Sequence, residues 1–280
     1  MIIKSMNGLG DCLFLRPIIR RLPMNNLILC TPWPNVFQDL GPIKFMKTVQ
    51  TLRTQSDNQE KYPKDFWVPF SEPDWRLNYR IAHENITEAF CRQLLNHQPK
   101  WLNNEFNIKC DLPNPFNTTK PICLIRPTTL RSEWLVTSRG PKPEYLQRFV
   151  DQYRDKYYIV SVASLMPKVE WYEKRLEGCD LYIQNANCFE KTYRMFLAAD
   201  LIVCGASFWV PLALAMNKKT ICIHGGMHPP HRIIDPRIMR SNFYNLAPDP
   251  YCCCYQKQHN CNKDIPLELI DSVFKEAAND

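Results

Sequence analysis

Short apolar runs of about four or five residues alternate along this chain with longer amphipathic segments, and this alternation limits its fold more than any other feature. Met1–Lys4 reads as an apolar strand and Ser5–Gly10 as a loop. Asp11–Leu22 is amphipathic, with Leu13, Leu15, Ile18, Ile19 and Leu22 at helical spacing. Leu27–Thr31 reads as a second strand. Strand, loop, helix and strand in that order open a parallel sheet, because parallel neighbours need a crossover that a hairpin cannot make.

A second alternation starts near residue 122. Ile122–Arg126, Tyr157–Ala163, Leu181–Gln184, Leu201–Gly205 and Thr220–His224 read as strands. Lys142–Asp155, Asn187–Ala199, Pro211–Met216 and Ile265–Ala278 read as helices, with Asn187 and Glu190 in a capping pattern on the second. Between the two alternations, Glu84–His97 reads as a helix, and residues 51–83 as a loop-rich insertion near a substrate. The Pro-, Asn- and Thr-rich stretch DLPNPFNTTKP, residues 111–121, reads as a linker. The expected fold class is α/β, with two doubly wound domains, 1–117 and 118–280, facing a cleft. Ligands of such sheets bind beyond the carboxyl ends of the strands.

Composition narrows the functional classes. With 45% apolar and 22% charged residues in a chain of 280, disorder is excluded. The 23 prolines and the lack of a sustained heptad exclude a fibrous rod. No apolar run approaches the ~20 residues of a membrane helix, and the opening MIIKSMNGLGD lacks the pattern of a signal peptide. The expected setting is therefore the cytoplasm, where most of the 13 cysteines behave as small reduced hydrophobes. The net charge of +7 is concentrated in residues 1–50 and 120–175, as suits anionic ligands in a basic cleft or simply a basic surface.

Five segments carry candidate chemistry. Asn7, Gly8 and Gly10 form a tight turn before Asp11, with Arg16 on the same acceptor-side stretch. Asp11 at a helix start is either a general base in a cleft or an N-cap. Arg126 and Arg131, with Thr128, Thr129 and Ser132, follow a strand and suit phosphate oxygens. Arg139 and Lys142 extend that set. Gly205 and Ser207 lie at another strand exit, before Trp209, which either stacks on a base or fills the core. His224, Gly225 and Gly226 lie at a third exit, and Glu190 joins the donor-side group. Near the C-terminus, Cys252, Cys254, His259 and Cys261 supply three thiols and one imidazole, the donor set of a closed structural zinc site. The alternative is a turn of reduced thiols.

Two of these blocks, MIIKSMNGLGDCLFLRPIIRRL and AADLIVCGASFWVPLALAMNKKTICIHGG, resemble glycosyltransferase family nine, the heptosyltransferase-like group. The resemblance implies a GT-B fold of two Rossmann-like domains, with the nucleotide-sugar donor held by the second. It implies inverting transfer that needs no metal cofactor, with Asp11 on the family's Gly-Asp motif as general base and Arg131 near its phosphate-binding basic residue. One departure is clear. The family's Asp-Ser/Thr-Gly turn and following His are replaced by Ala206-Ser207-Phe208, with Pro211 near the His position, so only Ser207 survives. That departure points to a sugar nucleotide other than ADP-heptose.

The tail, with HRIIDPR and the Cys/His run, looks more like small phage-encoded relatives. The expected acceptor is then a hydroxymethylated pyrimidine base in phage DNA, with the host cytoplasm as setting. The alternatives are lipopolysaccharide or another cell-surface glycan and, in a different class, non-catalytic binding of a nucleotide or nucleic acid. A dinucleotide oxidoreductase is disfavoured, since a third Gly and an acid near position 30 are both missing.

Overall fold

The computed structural model of the chain describes residues 1–49, 52–79, 84–100, 102–103, 106, 114–186, 188–227, 229–235, 242–252, 254 and 256–279. It divides into two compact units, Met1–Lys109 with Ile234–Met239, and Cys110–Ile233 with Arg240–Asp280.

The first unit begins β1 (Ile2–Lys4), α1 (Leu9–Ile19), β2 (Ile28–Cys30) and β3 (Lys44–Met46). It continues with α2 (Arg53–Gln59), β4 (Trp67–Val68), β5 (Trp75–Arg76) and α3 (Ile86–Leu95). The strands form one parallel sheet in the order β4-β3-β2-β1-β5. The chain thus steps outward from β1 to β4, then returns to lay β5 along the other side of β1. The Ile2 amide donates to Asp74 Oδ2 (2.7 Å) and the Leu77 amide to Lys4 O (3.1 Å), which fixes that return. Helix α1 is buried from Cys12 to Ile19 and packs against α3. Asn85 caps α3 by accepting from the Thr87 amide (2.8 Å), with Glu88 closing a capping box.

Residues 51–83, expected as a loop-rich insertion, instead contribute α2, β4 and β5 to this layered unit. The two strands are two residues long and leave no alternation to read. Helix α2, RTQSDNQ, has no apolar residue and so no amphipathic period. Buried amides dock it instead. Gln59 accepts from the Thr48 amide (3.1 Å) and donates to Thr48 O (3.2 Å), while Asn58 donates to Pro32 O (2.8 Å).

The second unit runs β6 (Ile122–Ile125), β7 (Thr129–Arg131), α4 (Pro143–Tyr153), β8 (Tyr158–Val162), β9 (Glu170–Tyr172) and β10 (Leu181–Ile183). It continues α5 (Phe189–Ala198), β11 (Leu201–Gly205), α6 (Trp209–Ala215), β12 (Thr220–Ile223), α7 (Pro230–Ile233), β13 (Phe243–Leu246) and α8 (Leu267–Asn279). Six strands form a parallel sheet in the order β10-β8-β6-β11-β12-β13. Numbered from β6, this is the 3-2-1-4-5-6 order of a Rossmann sheet. Its central strands are wholly buried, so Cys123, Cys204 and Cys222 are core residues, as their apolar surroundings imply. Phe149 of α4 meets Phe274 of α8 edge-on at 5.1 Å, and Arg148 grips Asp271 through Nε (2.6 Å) and Nη2 (2.5 Å).

The antiparallel pair β7–β9 is not legible in the sequence; it joins Thr129–Arg131 to Glu170–Tyr172 across the intervening α4 and β8, and its strands are only three residues long. No helix among the described residues is long and apolar enough to cross a membrane.

Arg16 departs from its expected place on the acceptor-side loop. It lies inside α1, wholly buried, with Nη1 and Nη2 on the two carboxylate oxygens of Asp39 (both 2.6 Å) and Nη1 also on Val36 O (2.6 Å). Its guanidinium also faces the Phe106 ring at 4.0 Å. It ties α1 to the 3-10 turns after β2, since a buried guanidinium is tolerated only when paired. Asp39→Asn therefore strands a buried cation, and the expected loss in urea-monitored stability is about 3 kcal/mol.

Candidate functional site

In an open parallel sheet, the place where strand order reverses leaves a crevice at the carboxyl ends. In the first unit the reversal falls between β1 and β5. The turn after β1 is held by Asn7, whose O accepts from Trp33 Nε1 (2.8 Å) and whose Nδ2 donates to Val49 O (3.1 Å). Thr48 Oγ1 donates to Asn7 Oδ1 (3.4 Å). Gly8 is the N-cap of α1 and makes no side-chain cap; Gly10 and Asp11 lie in the first turn. The Asp11 carboxylate folds back over Gly8, so a Cβ there would stand 2.5 Å from Asp11 Oδ2 and 3.1 Å from its Cγ. Tyr79, just beyond β5, donates its hydroxyl to Asp11 Oδ1 (3.1 Å) and rests edge-on against Phe90 at 5.9 Å. Asn7, Gly8, Gly10 and Asp11 are thus brought together, and the helix dipole favours the anionic carboxylate there.

In the second unit the reversal falls between β6 and β11. Arg126 follows β6 directly, and its amide donates to Val203 O of β11 (2.9 Å). Its guanidinium lies over the rings of Phe208 (5.3 Å) and Trp209 (5.7 Å). Burial pulls the Arg126 pKa down to about 10; Glu170 opposes that shift, while Arg131 and Arg139 add to it. It remains a cation at neutral pH. Arg131 Nε pairs with Glu170 Oε2 (3.1 Å), and Thr129 Oγ1 donates to Glu170 Oε1 (3.0 Å). Arg139 lies over Trp134 at 5.5 Å. Arg131 and Arg139 therefore both act on Arg126, with the buried Glu170 paired to Arg131 and partly offsetting them, a gathering of cations that suits an anion.

The other candidates divide. Gly205 ends β11 beside this cluster, but the Ser207 hydroxyl is engaged in starting α6, accepting from the Trp209 amide (3.3 Å). Trp209 does not face a ligand side. It is wholly buried, edge-on to Phe196 at 4.9 Å, because the apolar run FWVPLALAM turns inward. His224 is likewise wholly buried, with Nε2 on Asn245 Oδ1 (3.0 Å). Burial pulls its pKa down to about 4, so it is neutral near pH 7. Glu190 is exposed in the first turn of α5 and accepts from the Cys188 thiol (2.6 Å). The capping role read for Asn187 lies outside the described residues, and Cys188 holds the N-cap position.

Gly225 and Gly226 follow β12 and abut the Ser138–Gly140 turn, where the Gly226 amide donates to Ser138 O (3.0 Å). Cys252, Cys254, His259 and Cys261 come together as the sequence suggests, with their donor atoms all within 4.8 Å of one another.

Two residues at the sites were not singled out from sequence. Tyr79 lies in the stretch read as an insertion, and Glu170 on a three-residue strand of alternating character. Neither sits in a motif, so only the sheet topology reveals them.

No protein-family model and no curated protein sequence matches the chain. Its fold is similar to those of solved glycosyltransferases. One is the family 9 glycosyl transferase of Veillonella parvula DSM 2008, at TM-score 0.65 and 10% identity, over 99% of this chain and 96% of that one. A second is the ADP-heptose lps heptosyltransferase II of E. coli, at TM-score 0.58 and 11% identity, over 99% and 96%. A third is the iron-containing dodecameric glycosyltransferase TibC of enterotoxigenic E. coli H10407, at TM-score 0.55 and 12% identity, over 91% and 67%. The chain has the α/β GT-B fold, built from two Rossmann-like units.

The buried His224 makes stability depend on pH. The unfolded imidazole takes up a proton below its ordinary pKa of 6.5, whereas the folded one does so only near pH 4. Stability contributed by the neutral ring is therefore lost as pH falls from about 6.5 to about 4, by about 3 kcal/mol in all. Denaturant titrations across that window should show a shallower slope for His224→Gln than for the unaltered chain.

Proposed function

We propose that this chain is a glycosyltransferase that moves a sugar from a nucleoside-diphosphate donor to an acceptor hydroxyl, with inversion. The observation that carries the reading is the arginine cluster at the β6–β11 reversal. Crowded guanidinium groups repel one another, and an anion relieves that repulsion. A diphosphate at the switch point of a 3-2-1-4-5-6 sheet is the matching ligand. The unit that holds the cluster then serves the donor, and the unit around Asp11 the acceptor, close to the expected division 1–117 and 118–280 but with residues 110–117 on the donor side and 234–239 on the acceptor side.

The reaction balances as a single displacement. The Asp11 carboxylate takes the proton of the acceptor hydroxyl while that oxygen bonds to the anomeric carbon. The bond from that carbon to the diphosphate oxygen breaks, and its electron pair leaves with the diphosphate. Arg126, Arg131 and Arg139 meet the developing charge, assisted by backbone at Gly205; the Gly226 amide is engaged on Ser138 O and packs the turn that carries Arg139. Tyr79 orients the Asp11 carboxylate through its hydrogen bond.

The sequence points to a hydroxymethylated pyrimidine base of phage DNA as acceptor on charge and resemblance alone. The likeness to a structure named for lipopolysaccharide supports a saccharide hydroxyl instead, and this is the acceptor we place first. Incubation with a panel of nucleotide sugars and both acceptor classes, read by mass spectrometry, tests the choice. Added sugar mass on a saccharide is expected. Added mass on the base would keep the transferase and change its acceptor. Donor binding without any turnover would favour a non-catalytic nucleotide-binding protein.

Two variants test the chemistry. Asp11→Asn should cut turnover by about 100-fold or more, as loss of a general base does, while calorimetry shows donor binding unchanged. Gly8→Ala should displace the carboxylate and cut turnover by about tenfold or more, with the thermal midpoint little altered because Gly8 has an ordinary extended backbone.

A further inference from the structure

The Cys/His cluster takes no part in the proposed reaction, yet its position is specific. Cys252 Sγ lies 3.5 Å from His259 Nδ1, His259 Nδ1 lies 3.3 Å from Cys261 Sγ, and Cys254 Sγ lies 3.2 Å from Cys261 Sγ. Four ligands about 2.0–2.3 Å from a tetrahedral ion stand about 3.3–3.8 Å apart, so these separations need little adjustment. They are far longer than the ~2.05 Å of a disulfide. Three sulfurs and one imidazole form a soft donor set, suited to zinc or iron and unsuited to magnesium or calcium.

The segment that carries these ligands is stitched to the turn before α4. Ser138 Oγ donates to Gln256 O (2.5 Å) and Lys257 O (3.1 Å), and the Thr137 amide donates to Lys257 O (3.0 Å). Lys263 Nζ returns a bond to Thr137 O (2.7 Å). Trp134 has Arg139 over its ring at 5.5 Å and Lys257 at 6.0 Å. The Gly225–Gly226 pair lies between these parts. A Cβ on Gly226 would collide with the Cys261 side chain and stand 2.9 Å from Asn262 O, and one on Gly225 would stand 2.6 Å from Gly140 O. The cluster thus grips the backbone that leads into Arg139, and Arg139 acts electrostatically on Arg126.

We propose that Cys252, Cys254, His259 and Cys261 hold one zinc ion, and that the closed knuckle positions the Thr137–Gly140 turn so that Arg139 completes the arginine cluster. Four protein ligands leave no open coordination position, so the ion orders the backbone and takes no substrate. The ligands are positioning residues, acting through the turn. The zinc site stands on its own geometry; the effect on Arg139 rests on the donor reading above.

The test uses the full chain, purified under reducing conditions. Elemental analysis should find about one zinc per chain, and cobalt substitution should give the visible bands of tetrahedral thiolate coordination. Cys254→Ser should lose the metal, whereas Cys188→Ser, outside the cluster, should keep it. Binding of a nucleoside diphosphate should weaken about tenfold in Cys254→Ser, as in Arg139→Ala, the cost of one charge-assisted contact. The double variant should be no weaker than either single one. If Cys254→Ser fails to fold, metal content and the cobalt spectrum of the unaltered chain decide the site, and chelator-treated protein replaces the variant in the binding experiment. A metal-free chain, a Cys254–Cys261 disulfide, or stoichiometric iron would each overturn the zinc assignment. Metal loss without weaker diphosphate binding would overturn the positioning role. Absence of diphosphate binding in the unaltered, zinc-loaded chain would refute the donor reading and leave the zinc site standing.

Discussion

An all-parallel sheet can change its direction of growth only by sending the chain back past its first strand. Crossovers have a fixed hand, so that return puts neighbouring connections on opposite faces and opens a crevice at the carboxyl ends. Both sheets here make the return, at β1–β5 and at β6–β11. Residues far apart in sequence meet there as a consequence. Tyr79 reaches Asp11 because β5 lies beside β1, and Arg126 meets Phe208 because β6 lies beside β11. The candidate chemistry is therefore a property of strand order before it is a property of any motif.

Buried charge shows how the two units are held to this plan. Arg16 is wholly buried and gripped by Asp39, so it fixes α1 to the 3-10 turns after β2 and serves structure. Glu170 is also buried; it pairs with Arg131 and acts on Arg126 at the sheet reversal. The first arrangement fixes the fold; the second gathers arginines at the reversal where the proposed diphosphate would bind. His224 illustrates the third solution, in which burial keeps a titratable group neutral.

Much of this architecture is legible in the sequence. The apolar runs around β1, β2, β6, β8, β11 and β12 mark the sheets, because a strand buried on both faces reads as a continuous apolar run. The Gly turn before Asp11 and the spacing of Cys252, Cys254, His259 and Cys261 are local patterns, and the fold keeps those residues together. What sequence could not show has physical causes. Strands β4 and β5 are too short to alternate, and α2 docks through buried amides instead of an apolar face. Tyr79 and Glu170 matter only through contacts across 68 and 39 positions, to Asp11 and Arg131. Trp209 and Arg16 look functional because an aromatic and a cation stand near motifs, yet packing turns both inward.

The central claim is that a nucleoside diphosphate binds at the β6–β11 reversal. Amide hydrogen exchange with and without a nucleoside diphosphate measures this most directly. The account predicts slowed exchange in the segments just after β6 and β11, around Arg126–Arg131 and Gly205–Phe208, and in the Thr137–Gly140 turn. Protection confined to other parts of the chain, or none at saturating nucleotide, would contradict it.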